Sequence, residues 1–407
     1  TLKIKMTTIA KTIDKVLIKT FLKNLSDQTF TLVFWDKETY KIGEGESKFE
    51  IIIHNFPKKK ALLADPSTAL AEAYMVGDIE LVGNLQEIME SIIRNKNSFM
   101  NESKLLTMLG KYKSVGKRKS ERNIAHHYDI GNDFYALWLD STMSYSCAYF
   151  KTESDSLHEA QMNKIHHILK KLNLKGGQTL LDIGCGWGYL AIEAAKKYKV
   201  KVLGITLSKE QLKKGEERIK DEGLQDLVTL KLMDYRDLEK SGLKFDRVVS
   251  VGMAEHVGKA NLPLYFKNVN AVLQETGLFL LHNITNMLET EVDGFISKYI
   301  FPGGYIPSLR EELYIAADLG FHTMDIESLR LHYMKTLMHW AEGFEGNMDK
   351  IKTMFDTKFI RMWRLYLNAC AAAFHYAKID VHQILISKGA NNQLPLTRQY
   401  IYEIDAR

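Results

Sequence analysis

Leu181-Asp182-Ile183-Gly184-Cys185-Gly186-Trp187-Gly188 reads as the end of a buried strand, a glycine turn and the start of a helix. Glycines at such a turn let the backbone approach a ligand closely and aim N–H groups at it. The spacing is G-x-G-x-G. The dinucleotide fingerprint is G-x-G-x-x-G and wants an acidic residue about 20 positions further on to hold a ribose. Here the following strand ends in Gly204-Ile205-Thr206-Leu207 without an acid, and the acid, Asp182, precedes the glycines. A purely structural strand-to-helix turn has the same pattern, so the stretch alone leaves both readings open.

Outward from the turn, strand signals fall at 179–183, 201–206, 227–232, 245–251 and 278–283, with helical segments between them. That alternation predicts a parallel sheet. Ser208-Lys209-Glu210-Gln211 predicts a helix start by the capping-box rule. Residues 285–378 are rich in Met, Tyr, Phe and Trp at helical spacing and read as a helical insert, and 380–387 reads as a last strand. Ahead of the turn, residues 1–110 mix strands (30–35, 48–54) with helices (67–74, 85–94) and read as a separate domain. A basic linker, 111–123, separates it from a catalytic domain at 124–407.

The 407 residues are 45% apolar and 26% charged, as in soluble globular proteins, with a net charge of +5. Cys147, Cys185 and Cys370 are too few and too scattered for a disulfide framework or a zinc site, so no metal is expected. No run approaches the roughly 18 apolar residues of a spanning helix, and no export signal stands at the start. A cytoplasmic protein is expected. Six basic residues between Lys111 and Arg122 face Glu121 alone, and Lys58-Lys59-Lys60 form a second cluster. Such runs are solvated faces, or they attract anionic lipid or nucleic acid phosphates.

An acid followed by G-x-G-x-G resembles the S-adenosylmethionine site of Rossmann-like methyltransferases. Further motifs narrow the resemblance. These are His127-Tyr128-Asp129-Ile130-Gly131-Asn132, Tyr145-Ser146-Cys147-Ala148-Tyr149-Phe150, Asp234-Tyr235-Arg236-Asp237-Leu238, Gly252-Met253-Ala254-Glu255-His256-Val257-Gly258, Tyr299-Ile300-Phe301-Pro302-Gly303-Gly304 and Tyr366-Leu367-Asn368-Ala369-Cys370-Ala371. In this order they closely resemble the cyclopropane-fatty-acyl-phospholipid synthases and their mycolic-acid relatives, over about 124–389. Ala73-Tyr74-Met75-Val76-Gly77-Asp78-Ile79-Glu80 resembles the N-terminal domain of the bacterial phospholipid branch. The implied fold is α/β: a Rossmann-like methyltransferase domain, mostly parallel with helices on both faces, plus a smaller N-terminal α+β domain for lipid engagement or dimerisation.

The implied reaction adds a methylene from S-adenosylmethionine to a cis double bond of an unsaturated phospholipid acyl chain. An alkene attacks only a strong methyl donor. The resulting carbocation must lose a proton for the ring to close, so a base beside tolerant π faces is required. By resemblance, Gly184, Gly186, Gly188 and Asp182 approach the cofactor's methionine part, Thr206 and Gln211 the ribose, and Tyr235 and Arg236 the adenine. Tyr145 and Ser146 close over it. The resemblance also implies a bicarbonate ion as base, held by Cys147, Glu255, His282 and Tyr333. Cys370 occupies a position once read as an active cysteine, yet no step needs a thiolate, and a buried small hydrophobe is the plainer reading. Phe301, Tyr305, Tyr333, Trp340, Trp363 and Tyr366 are the acyl-tunnel candidates, ordinary core being the bland alternative.

Ala254 stands where the family commonly has a large Phe before the Glu-His pair, which is expected to widen the pocket. Peripheral binding to the inner face of the membrane and a homodimer are expected, and no nucleic acid partner. Methyl-branched acyl products or another acceptor are the alternative activity.

Overall fold

Phe30, Leu32 and Phe34 are buried while Thr31 and Val33 are less so, the period-two pattern of a strand with one face in a core. The computed structural model describes residues 13–98 and 130–403; the linker 111–123 and His127, Tyr128 and Asp129 lie outside the described residues. In the first unit β1 (Phe30–Val33), β2 (Thr39–Ile42), β3 (Phe49–Ile53) and β4 (Ile79–Val82) form one sheet in the order β2-β1-β3-β4. Phe30 and Phe49, paired across β1 and β3, stack at 5.0 Å. Helix α1 (Pro66–Val76) starts where the Asp65 carboxylate accepts from the Thr68 amide at 3.0 Å and stops at Gly77, in the left-handed region at φ 84°. Helix α2 (Leu85–Arg94) is capped by Asn84.

The second unit holds α3 (Leu157–Lys171), β5 (Thr179–Ile183), α4 (Tyr189–Tyr198), β6 (Lys201–Thr206), α5 (Lys209–Asp221), β7 (Val228–Leu232), β8 (Phe245–Val251), α6 (Leu262–Val272), β9 (Leu273–Thr285), α7 (Leu309–Asp318), β10 (Phe321–Ser328), α8 (Arg330–Gly346) and β11 (Asp380–Lys388). Its sheet runs β10-β11-β9-β8-β5-β6-β7. Strands β5 to β9 are parallel to one another, and β11 is antiparallel to both β9 and β10. Alternate residues feed two cores. Leu181, Val248 and Leu281 pack with Phe266 and Val269 of α6, whereas Leu180, Val249 and Leu280 pack with Ile165 and Ile168 of α3 and Ala191 of α4. Both faces are thereby covered, which is why these strands read as continuous apolar runs. Each buried aliphatic side chain contributes about 1.5–3 kcal/mol.

The region 285–378 differs from the expected helical insert in two ways. Asp293–Ile300 and Asn347–Tyr376 pack with the N-terminal residues in the first unit, and 301–346 belongs to the second. Helix α9 (Thr357–His375), which carries Cys370, Trp363 and Tyr366, packs on α2 and α1. The region also contains β10, which helical spacing had hidden. This is an edge strand with a register shift between Thr323 and Asp325, so its alternation is broken. No helix among the described residues is long and apolar enough to cross a membrane.

Candidate active site

Where β5 ends, the chain turns through Gly184 (φ 79°), Gly186 (φ 54°) and Gly188 (φ 79°) into α4. The three glycines have different reasons to lack a Cβ. One at Gly184 would come within 2.9 Å of Met253, and one at Gly188 within 3.1 Å of Leu230. At Gly186 nothing lies within 4 Å, because the position opens into a cavity at the C-terminal ends of β5, β6 and β8. Open α/β sheets bind ligands at those ends.

Tyr145, Ser146, Asp182, Gly184, Gly186, Thr206, Gln211 and Tyr235 all line this cavity. Gly188 and Arg236 do not. Gly188 permits close packing, and Arg236 pairs with Asp234 at 2.7 Å, its guanidinium 5.5 Å from the Tyr235 ring. The capping box at α5 is half formed. Ser208 Oγ accepts from the Gln211 amide at 3.3 Å, but the Gln211 side chain turns to the cavity and accepts from Thr206 Oγ at 3.0 Å. An aromatic shell backs Tyr145, with Trp340 at 5.1 Å, Trp138 at 5.3 Å and Tyr135 at 5.5 Å between ring centres.

Of the cavity residues that the sequence reading did not name as site residues, Lys164 and His256 carry ionisable nitrogens. Lys164 of α3 is buried, with its Nζ donating to Ser146 Oγ at 2.7 Å. Burial draws its pKa down to about 8, and burial likewise raises Asp182 to about 7. The available signal was a polar stripe, Gln161, Lys164, His167 and Lys171, at helical spacing. Such a stripe normally marks the solvated face; here all four are buried. His256 also lines the cavity, 5.8 Å from the Phe301 ring, and burial lowers it to about 4, so it is neutral.

Glu255, His282, Tyr333 and Cys147 do not line the cavity, and no side-chain hydrogen bond among the described residues joins any two of the four. Glu255 Oε1 accepts the Ile284 amide at 2.8 Å just beyond the end of β8. Its Oε2 is buried without a hydrogen-bond partner, and burial raises the carboxyl to about 7. His282, two residues before Ile284, is held by the Gln383 side-chain amide at 3.1 Å from Nδ1. With Gln383 donating, the ring proton sits on Nε2, which is buried without a partner. Burial holds His282 well below its ordinary pKa, so the ring is neutral. The Leu329 carbonyl accepts both the Tyr333 amide, at 3.0 Å, and the Cys147 thiol, at 3.7 Å. The Leu329 amide in turn bonds Val381 in the strand that carries Gln383. Burial pushes the Cys147 thiol up, so it stays protonated. On the opposite face of β9, Asn283 donates to a buried carboxyl, Glu312, at 2.8 Å.

Cys370 stands apart in the first unit, its thiol pushed up to about 12 by burial. Ala254 is fully buried beneath Glu255 in sequence and is not part of the cavity wall.

Residues 115–384 match the family described as Mycolic acid cyclopropane synthetase. The chain belongs to this family. Residues 17–104 match a domain of unknown function, DUF7884. A probable fatty acid methyltransferase of Pseudomonas putida is 42% identical over 91% of this chain and 95% of its own length. The cyclopropane-fatty-acyl-phospholipid synthase of Escherichia coli K12 is 39% identical over 87% of this chain and 92% of its own length. Among solved structures, mycolic acid cyclopropane synthase CmaA1 complexed with SAH and CTAB is 34% identical. It covers 66% of this chain and 98% of its own, with a TM-score of 0.62. Membership of the cyclopropane synthetase family makes this protein an S-adenosylmethionine-dependent C-methyltransferase with the fold expected of one.

Proposed function

We propose that the protein converts the cis double bond of an unsaturated phospholipid acyl chain into a cyclopropane ring, with S-adenosylmethionine as donor and a bicarbonate ion in the site. The observation that carries this reading is that two buried side-chain atoms on neighbouring strands, Glu255 Oε2 beyond β8 and His282 Nε2 on β9, have no hydrogen-bond partner. A buried polar atom left unpaired is destabilising by about 1–3 kcal/mol, so such atoms mark where a polar ligand completes the structure. One is a carboxyl poised near neutrality and the other a neutral N–H donor, which suits an ion that both accepts and donates.

Tyr145, Ser146, Asp182, Gly184, Gly186, Thr206, Gln211 and Tyr235 are the residues to hold the cofactor, with Gly188 and Arg236 supporting the turns beneath it. When bound, S-adenosylmethionine supplies a methyl group activated by a sulfonium charge. Bicarbonate, held by Glu255, His282, Tyr333 and Cys147, supplies a compact base. Glu255 exchanges a proton at Oε2, and His282 donates from Nε2 while Gln383 fixes its tautomer. The rings around Tyr145 exclude water and present π faces to positive charge. Cys147 acts as a thiol or through its backbone, and Cys370 takes no covalent part.

The exposed Lys58, Lys59 and Lys60, with Leu63 77% exposed beside them, suit peripheral contact with an anionic membrane on its inner face. A homodimer and the absence of a nucleic acid partner belong to the same reading.

A second reading, methylation without ring closure, is favoured by the Pseudomonas putida relative, whose name is fatty acid methyltransferase. One assay separates the two. The purified chain is given methyl-labelled S-adenosylmethionine and anionic vesicles of cis-unsaturated phospholipid, and the acyl chains are analysed by mass spectrometry. Acyl chains heavier by one methylene, with the alkene replaced by a ring, support the synthase. A methyl branch, or label in the headgroup or in water-soluble material, overturns it.

A further inference from the structure

Lys164 is 3% exposed, and among the described residues it forms no ion pair. Its one hydrogen bond goes to a neutral hydroxyl, Ser146 Oγ, which itself lines the cavity. An ammonium taken out of water is strongly unfavourable unless an anion meets it, so a buried lysine bonded to a serine alone is an incomplete arrangement. Asp182 does not complete it. It lines the same cavity from β5, close enough to act on Lys164 through space but not bonded to it. The cavity thus carries one acid and one ammonium, both buried, on one wall. A zwitterionic amino-acid group has the matching pair of charges.

We propose that the Lys164 ammonium is the seat for a planar oxyanion in this cavity, the carboxylate at the methionine end of the methyl donor being the occupant that the neighbours favour. Ser146 orients the ammonium, and Asp182 faces the donor's amino group. The inference rests on the reading of the cavity as the S-adenosylmethionine site. A bicarbonate ion has the same planar oxyanion chemistry. It is the other possible source, since Lys164 also acts through space on Cys147 and His282. The remaining charged group facing Lys164 is Asp140.

The test uses the full-length chain and two ligands that share the adenosine part, S-adenosylhomocysteine and 5′-methylthioadenosine, of which only the first has the carboxylate. Calorimetry on Lys164→Met is expected to show unchanged affinity for 5′-methylthioadenosine and at least a tenfold loss for S-adenosylhomocysteine, largely recovered in Lys164→Arg. Unchanged affinity for both, with at least a tenfold rise in the bicarbonate concentration needed for half-maximal turnover, supports the oxyanion seat and names bicarbonate as its occupant. No change in either quantity overturns the proposal, as does a parallel loss of both ligands together with a lowered Tm, the mark of a merely structural lysine. If Lys164→Met does not fold, the wild-type chain is compared on S-adenosylhomocysteine and its carboxamide. Equal affinity with turnover indifferent to bicarbonate overturns the seat, and a tenfold preference for the carboxylate supports it. A wild-type chain that binds neither adenosine ligand overturns the reading of the cavity itself.

Discussion

The carboxylate of Glu255 accepts the Ile284 amide at 2.8 Å and so takes the ladder position that the next residue of β8 would have filled. The side chain lies past the C-terminal end of β8, bonded to a strand that carries His282 on one face and Asn283, with its partner Glu312, on the other. Being held by a backbone amide keeps one oxygen occupied and presents the other.

Replacing Glu255 by Gln keeps that hydrogen bond and removes the exchangeable proton. Turnover is expected to fall by roughly 10²-fold or more. Binding of S-adenosylhomocysteine, measured by calorimetry, is expected to stay within about twofold because Glu255 is not part of the cavity wall. In the wild type, turnover is expected to drop as pH falls through about 7, and this limb disappears in E255Q.

The same substitution changes stability in a pH-dependent way. The native Glu255 carboxyl sits near 7, above its ordinary 4.5, so between those values the native state holds a proton that the unfolded chain has released. Wild-type stability therefore falls as pH rises from about 4.5 to about 7 and stays lowered above that window. E255Q is expected to match the wild type at pH 4 and to exceed it by about 1–3 kcal/mol at pH 8 in urea unfolding. Equal stabilities at both pH values contradict the buried, raised carboxyl.

The Gln383 amide sets which nitrogen of His282 carries the proton. Gln383→Leu frees the ring to take the other tautomer. A drop of about tenfold in kcat at unchanged KM for the cofactor is expected. A rise in KM alone would mean that Gln383 shapes the cavity rather than the proton donor.

The three glycines of the turn are expected to respond differently to Ala. Gly186→Ala meets open space, so its Tm falls little beyond the roughly 1 kcal/mol of a left-handed residue, while cofactor affinity falls at least about tenfold. Gly184→Ala and Gly188→Ala drive a Cβ against Met253 and Leu230 and lower Tm by more. Thermal unfolding with and without S-adenosylhomocysteine separates the two patterns.

Cys370 is a protonated thiol in α9 of the first unit. Cys370→Ala is expected to keep turnover within about twofold. A tenfold loss at unchanged Tm would assign the thiol a role in the reaction.

The parallel strands and the glycine turn could be read from the chain because both signals are local. A buried strand is a continuous apolar run, and a left-handed turn needs glycine. The other cavity-lining residues named from the sequence, Asp182, Thr206 and Gln211 among them, came from the family resemblance, and they sit at or near the ends of consecutive strands and helices. Lys164 could not be found from local signals. Its burial depends on what packs against α3 from far along the chain, and a polar stripe carries no mark of being covered. The edge strand β10 escaped because a register shift interrupts its alternation. The splitting of 285–378 between two units escaped because helical spacing states that a helix has a buried face, not which neighbour buries it.

β9 pairs with β8 and β11 in regular register from Leu278 onward, after an irregular stretch in which Thr276 is left-handed, and its last residues deliver His282, Asn283 and Ile284 to three different partners, Gln383, Glu312 and Glu255. Side chains alternate along a strand, so loss of a single residue between 278 and 281 would carry His282 to the α7 side and Asn283 to the α3 side. The apolar residues at 278–281 would still find a core on either face. Along this strand the chain tolerates change of side chain far better than change of length, and the chemistry of the site is tied to a count of residues as much as to their identity.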